Sequence, residues 1–352
     1  MVIEKHTKDH YFINLINELK RQEIEVIFPR KEYKNLFLFR NLLFSKTRIL
    51  HIHFLYSAGF YAKTLLQFIL KYFIFIIDIY LVKYILKTKI IWTVHNLYSH
   101  KAFFPKIEKL GKNFFSKKVN YIICHCKNAK RLVQKEFGVN PAKIHIIPHG
   151  NYINSYKNSI SREVARKKLN LHNDDFIFLF FGRIRPYKGV GNLIKSFKSI
   201  HVNENLKLLI VGKVFKPQIS KILIENTLDD ERIILNLKRI PDDAIQIYMN
   251  ASDVVVTPYI DVLTSGQVLL AMSFGKPIIA PKLGCIIDIL DEKGSFIYNP
   301  DVSNSLLQSL EKAITLRTNL LQMGNYNLEL VKKFDWKRIV VETIEIYLKS
   351  FK

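Results

Sequence analysis

Cysteine is scarce: Cys124, Cys126 and Cys285 are the only three in 352 residues. Three thiols make no disulfide framework, and Cys-His-Cys at 124–126 lacks the spacing that lets side chains converge on one zinc ion. No metal site is therefore expected, and a reducing, cytoplasmic setting is favoured. The opening residues, MVIEKHTKDH, contain no apolar run, so no signal peptide is expected there. Internal repeats and low-complexity tracts are missing, which sets aside solenoid and fibrous architectures. Carboxylates are also in short supply, with 30 Asp+Glu against 54 Lys+Arg and a formal net charge of +24.

What is present is unevenly placed. Through residue 160 there are 27 Lys+Arg and 9 Asp+Glu, an excess of 18; the remainder holds 27 and 21, an excess of 6. The first part therefore meets something anionic: nucleic acid, an anionic membrane surface or a phosphorylated substrate. A length of 352 residues, 49% of them apolar, supports two domains with a core each. One long apolar run stands out, Leu65 to Leu86, LLQFILKYFIFIIDIYLVKYIL. Lys71, Asp78 and Lys83 would each cost about 2.5–3.5 kcal/mol near a bilayer centre. Thr64, Gln67, Lys71 and Asp78 also fall on one stripe of a helix. A helix flanking a sheet is the leading expectation, a helix in the membrane interface the second and a transmembrane span the third.

Short apolar runs at 25–28, 49–54, 90–95, 121–124 and 144–148 read as buried strands, separated by helical stretches at 11–21, 61–86, 106–117 and 127–136. After a polar stretch at 151–162 the rhythm restarts, with strands at 176–182, 206–212, 232–237, 253–258 and 277–281. Strand-then-helix alternation predicts α/β architecture: two doubly wound, Rossmann-like parallel-sheet domains facing across a cleft. The boundary is placed near 155, giving domains 1–155 and 156–333. An amphipathic helix at 334–352 closes the chain.

Ligands of such sheets bind beyond the carboxyl ends of the strands, so the loops there carry the chemistry. Gly182 follows a strand and permits a sharp turn, while Arg183 offers a planar fork of donors and Lys188 a point charge. This pattern would clamp a phosphate or diphosphate; the competing reading is a solvated basic turn. Thr264, Ser265 and Gly266 enter a second helix, whose N–H groups and hydroxyls suit phosphate oxygens. Simple helix capping by Thr264 or Ser265 competes with that reading. In the first half His95 and His149 end strands, whereas His51 and His53 lie inside one, where a satisfied core role is favoured.

The stretches WTVHN, IIPHGNY, FFGRIRPYKGVGNLIKSF, DVVVTPY and AMSFGKPIIAP together resemble the GT-B glycosyltransferases, most of all the family 4 and group 1 enzymes. The resemblance implies a hexosyltransferase-type enzyme without a cofactor, its donor a nucleotide-diphosphate sugar; with two cations and a helix dipole to meet the leaving diphosphate, the enzyme is expected to be metal-independent. Arg183 and Lys188 would grip the diphosphate, and Arg239 or Ile240 in KRIP would touch the base. His95 would lie near the transferred sugar, His149 and Gly150 at the interdomain strand end, and the terminal helix would pack back onto the first domain. The chain departs from the family where two glutamates are usual: Val262 and Leu270 occupy those positions, with Asp261 beside the first. Donor contacts are then expected to fall more on Thr264, Ser265 and Gly266.

If the sugar is inverted, a general base is needed near the acceptor, and Asp9, His10 and His95 are the candidates. The basic first domain suits a glycan or polyprenyl-diphosphate-linked acceptor at an anionic membrane surface, the protein being peripheral at the inner face. Two alternatives remain: a sugar-nucleotide epimerase of the same fold, and a basic nucleic-acid-binding protein. No nucleic-acid motif supports the latter, and no nucleic-acid partner is expected.

Overall fold

Val, Ile and Phe fill the apolar runs that the sheets of this computed structural model are built from. Residues 2–3, 9–29, 35–55, 64–98, 104–201 and 205–352 are described, with side chains from residue 9 onward. The chain divides into two compact units, Met1–Gly150 with Trp336–Lys352, and Asn151–Asp335.

In the first unit β1 (Val2–Ile3), β2 (Ile49–Ile52), β3 (Lys89–Val94), β4 (Tyr121–Cys124) and β5 (Ile144–Ile146) form a parallel sheet in sequence order. Its helices are α1 (His10–Arg21), α2 (Phe37–Leu42), α3 (Leu65–Tyr80), α4 (Pro105–Lys118) and α5 (Lys127–Phe137). A π-helical turn, Leu81–Ile85, continues α3. The strand expected at 25–28 is absent. Val26, Ile27 and Phe28 are only half-buried and lie in no ladder; β2 pairs instead with β1, His51 opposite Val2 and Ile52 opposite Ile3.

The second unit contains α6 (Arg162–Lys168), β6 (Phe176–Phe181), α7 (Val190–Lys198), β7 (Leu206–Val211), α8 (Pro217–Glu225) and β8 (Ile233–Asn236). It continues through α9 (Ile245–Ala251), β9 (Val254–Val256), α10 (Gly266–Ser273), β10 (Ile278–Pro281), α11 (Ile286–Ile289), β11 (Ser295–Tyr298), α12 (Ser305–Thr315) and α13 (Leu320–Lys332). The strand order β11-β10-β9-β6-β7-β8 reverses direction between β6 and β9. Alternation along β6 feeds two cores: Phe176, Phe178 and Phe180 pack with Leu193 and Phe197 on one face, Ile177 and Leu179 with Leu269 and Met272 on the other.

The last helix, α14 (Trp336–Lys349), belongs to the first unit and lies against α1. Tyr347 bonds His51 across 2.7 Å, and Trp336 packs so closely on Gly150 that a Cβ there would come within 2.1 Å of the indole. Only glycine fits at 150.

The apolar run at 65–86 is not a core helix. Phe68, Phe75, Asp78, Ile79 and Val82 are buried, but much of the opposite face is exposed. Of the four polar residues expected on one stripe, Thr64, Gln67 and Lys71 are exposed and Asp78 is buried. Its two oxygens accept from Leu38 N (2.8 Å) and Phe39 N (2.7 Å), so it satisfies the amino end of α2 from the neighbouring helix.

Candidate functional site

The crevice at a sheet's switch point is where two neighbouring strands send their connections in opposite directions. Here β6 and β9 form that pair, and the loop after each meets the amino end of α10. Two glycines permit the approach. Gly182, at φ +125°, has Gln267 so near that a Cβ would sit 1.5 Å from its amide nitrogen; at Gly189, φ +68°, a Cβ would strike the Pro258 carbonyl at 1.8 Å.

Inside this crevice the Lys188 ammonium donates to Tyr259 Oη (3.2 Å) and to Gln267 Oε1, and Tyr259 donates to the same amide oxygen. Gln267 Nε2 in turn donates to the Phe181 carbonyl at the end of β6. Ser265 caps α10, accepting from Val268 N (3.3 Å), and its hydroxyl lies 2.9 Å from Tyr259 Oη. Since Tyr259 spends its proton on Gln267, Ser265 donates to Tyr259. Capping and site-building are therefore done by one hydroxyl. Burial, followed by the positive charge of Arg185, pulls the Lys188 pKa down to about 7. Burial raises that of Tyr259, keeping it a neutral donor.

The other anticipated residues are dispersed around this centre. Arg183 is exposed and Gly266 half-buried, with Tyr152 Oη 3.1 Å from where its Cβ would be. Thr264 is half-buried and Asp261 exposed, whereas Leu270 is buried in the core. Arg239 is exposed beyond β8, and Ile240 packs against the core beside it. Tyr259 and Gln267 were not anticipated: an aromatic after a strand reads as core, and only the fold directs Gln267 toward Gly182. Arg185 is another omission, its guanidinium 5.0 Å from the Phe215 ring centre and its Nε buried without a hydrogen-bond partner.

In the first unit four adjacent parallel strands, β2 to β5, are each followed by a histidine: His53, His95, His125 and His149. All four are buried. His53 Nδ1 is 3.1 Å from His95 Nε2, His95 Nδ1 is 3.3 Å from His125 Nε2, and His125 Nδ1 is 3.0 Å from the Ile147 carbonyl. A carbonyl only accepts, so His125 carries its proton on Nδ1; its Nε2 then accepts from His95 Nδ1–H, and His95 Nε2 from His53 Nδ1–H. The chain ends on a bare, buried lone pair at His53 Nε2, which has no hydrogen-bond partner. The core role foreseen for His51 and His53 holds for His51, whose nitrogens meet Tyr347 Oη and Thr93 Oγ1, both at 2.7 Å.

Tyr11 lies among these rings, 5.0 Å from His95 and 4.7 Å from His149 between centroids. Burial lowers every imidazole pKa in the row and that of His51 behind it, to about 3 for His51 and His125 and about 4 for His149, where the Gly150 carbonyl partly offsets it. For His53 and His95 neighbouring imidazoles push in the same direction as burial. Asp9 caps α1 through Tyr11 N at 3.0 Å, and His10 opens that helix. Among the described residues no group of three or more His, Cys, Asp or Glu side chains is placed to hold a metal. The nitrogens of His53, His95 and His125 are bonded in series rather than aimed at a shared centre, and His149 Nδ1 bonds the Gly150 carbonyl at 2.8 Å.

Two parallel α/β units, one with a cationic, hydroxyl-bearing crevice at its switch point and the other completed by the terminal helix, define a GT-B architecture. Residues 161–329 match the model of glycosyl transferases group 1 and residues 10–151 that of glycosyltransferase family 4, and the chain belongs to this group 1 and family 4 class.

A GDP-mannose:glycolipid 4-beta-D-mannosyltransferase of Xanthomonas campestris is 32% identical over 135 residues, 38% of either chain. A lipopolysaccharide 1,2-N-acetylglucosaminetransferase of Salmonella typhimurium is 24% identical over 220 residues, 60% of this chain and 57% of that one. The chain thus spans less than two thirds of the length of these relatives. Among solved structures, a sucrose-phosphate synthase from Thermosynechococcus elongatus superposes with a TM-score of 0.77 at 16% identity, over 99% of this chain and 98% of that one. The Anabaena protein HepE, solved with UDP, gives the same four values. At that identity the likeness is one of fold.

Proposed function

We propose that the protein transfers a sugar from a nucleotide-diphosphate donor to an acceptor hydroxyl. One observation carries the reading: Lys188 and Tyr259 both donate to a single oxygen at the switch point, that of the Gln267 amide. A neutral amide oxygen is a weaker partner for an ammonium than an anionic one, so a phosphate oxygen replaces it favourably. The leaving nucleoside diphosphate gains charge in the transition state, and Lys188, Arg183 and the amino end of α10 with Thr264, Ser265 and Gly266 stabilise it there. With the charge met in this way, the reaction needs neither a divalent metal nor a cofactor. Arg239 and Ile240, beyond β8, would border the base, and Asp261 the rest of the nucleoside.

The neutral imidazole row suits uncharged hydroxyls, and His95 and His149 face sugar and acceptor in this reading. Both His95 nitrogens being engaged, it orients rather than removes a proton. An inverting reaction would leave proton removal to Asp9 or His10. The basic first half, and relatives named for glycolipid and lipopolysaccharide substrates, support a glycan or polyprenyl-diphosphate-linked acceptor at the anionic inner face of a membrane.

Thermal shift against UDP-, GDP- and dTDP-sugars tests donor binding directly. Arg183→Ala and Lys188→Ala should each reduce transfer by about 2 kcal/mol, roughly thirtyfold, as for a lost oxyanion donor. Unchanged turnover in both variants would refute the diphosphate assignment.

A further inference from the structure

We infer that the outward face of α3 is a lipid-inserting surface that lays the first unit on an anionic bilayer. The inference deepens the membrane part of the proposed function by naming the element that enters the lipid.

Leu66, Ile69, Leu70, Phe73, Ile77 and Tyr80 fall within about 100° of arc on the helix. All six are between 36% and 78% exposed. Tyr84 carries the stripe through the π-helical turn, so it runs about 27 Å. On the neighbouring elements of the same unit, Leu110 of α4 and Phe44 beyond α2 are exposed as well, Phe44 at 93%. Only 28% of the most apolar 18 residues within Leu65–Ile85 is buried. Single exposed apolar side chains are ordinary, but a continuous stripe of them marks a surface that is covered in use.

Three occupants are conceivable, and the surroundings favour one. A span across the bilayer would strip Asp78 of its two bonds to α2 and expose the buried side, Phe68, Phe75, Ile79 and Val82. A second copy of the chain would gain only the area of one helix face, roughly 300 Å² a side, against the ~800 Å² per partner of a stable interface. A bilayer interface asks only for an apolar stripe with cations and amphipathic aromatics at its rim. That rim is present. Lys118 sits 4.7 Å from the ring centre of Tyr80, which stacks on Tyr84, and Lys83 donates to the Lys118 carbonyl. Lys87, Lys106 and Lys117 are exposed on the same pair of helices or just beyond them. The excess of 18 positive charges through residue 160 supplies the long-range attraction to anionic lipid.

The test is flotation of the full chain with phosphatidylcholine vesicles, with and without phosphatidylglycerol, at low and high salt. Binding should require the anionic lipid at first contact and survive in part at high salt, because insertion is apolar. The pair Leu70→Gln and Phe73→Gln should lower partitioning by about 100-fold or more, as expected for withdrawing two large apolar side chains from lipid. Thermal shift with the donor should not change, which separates this surface from the transfer reading. In Phe73→Trp, brominated lipid should quench emission beyond any loss seen with the native Trp92 and Trp336. The inference is overturned by flotation that the double substitution leaves intact, or by an unquenched Trp at 73 in floated protein. It is also overturned by a concentration-dependent dimer that the double substitution abolishes, or by resistance of the cell-membrane-bound protein to carbonate extraction. Failure to float under any condition removes both this inference and the membrane part of the reading, while donor binding is judged separately.

Discussion

The carboxyl edges of the two sheets share a topology of parallel strands ending in loops, yet their chemistry is opposite. The first edge is a row of neutral imidazoles kept uncharged by burial, with its hydrogen bonds running in one direction to the Ile147 carbonyl. The second is a crevice built around one ammonium, Lys188, with Arg185 close enough to lower its pKa. The difference teaches that the fold supplies an address and the loops supply the selectivity. An uncharged edge can bind hydroxyls without attracting phosphate; a charged one receives phosphate at little cost in reorganisation.

The contrast is sharpest in acid. An imidazole whose pKa is about 6.5 unfolded and about 3 to 4 folded binds protons in the unfolded chain first, so stability is fully present above pH 6.5 and falls as the pH drops below it. Each of His51, His125 and His149 removes up to about 1.4 kcal/mol per pH unit, and His53 and His95, shifted in the same direction by burial and neighbouring imidazoles, add to the loss. Pulsed hydrogen exchange should show the first unit opening between about pH 6 and 5 while the second stays protected. Equal loss of protection in both units would break the comparison.

A smaller effect separates His51 from His53. His51→Phe leaves Tyr347 and Thr93 hydroxyls unpaired and should cost about 2–3 kcal/mol in chemical denaturation. His53→Phe removes one orphan lone pair but takes one donor from His95 Nε2, and should cost about 1 kcal/mol. The reverse order would mean that the imidazole chain runs differently. Nitrogen NMR can check this directly, with Nδ1–H expected at His53, His95 and His125 and a bare Nε2 at His53.

The smallest change expected is at Gln267. Gln267→Ala frees Lys188 and Tyr259 from the amide and should tighten donor binding by a few tenths of a kcal/mol to about 1 kcal/mol. Weaker binding would show that the amide itself contacts the donor.

Much of this was legible in the sequence, though unevenly. Apolar runs located nine of the strands, because a strand buried on both faces must be almost wholly apolar. The run at 25–28 misled because apolar content does not supply a ladder partner, and β11, SFIY, went unnoticed because its alternation is short and its register comes from β10. Glycine and cation spacing pointed to Lys188, but Tyr259 and Gln267 join it only through the proximity of β6 and β9. In the sequence His53 reads as a core residue, and His125 stands only as the middle of Cys-His-Cys. What unites them is strand order, which aligns residues 42 and 30 positions from His95 into one chain.

The most direct test of the account is calorimetric titration of a nucleotide-diphosphate sugar near pH 7.5, in two buffers that differ in ionisation enthalpy. Burial pulls the Lys188 pKa down to about 7, so at that pH the group is only partly charged in the free protein, and a bound diphosphate favours its charged form. The account predicts uptake of a fraction of a proton on binding, and loss of both the uptake and most of the affinity in Lys188→Met. Tight binding without proton uptake, or unchanged affinity in Lys188→Met, would contradict it.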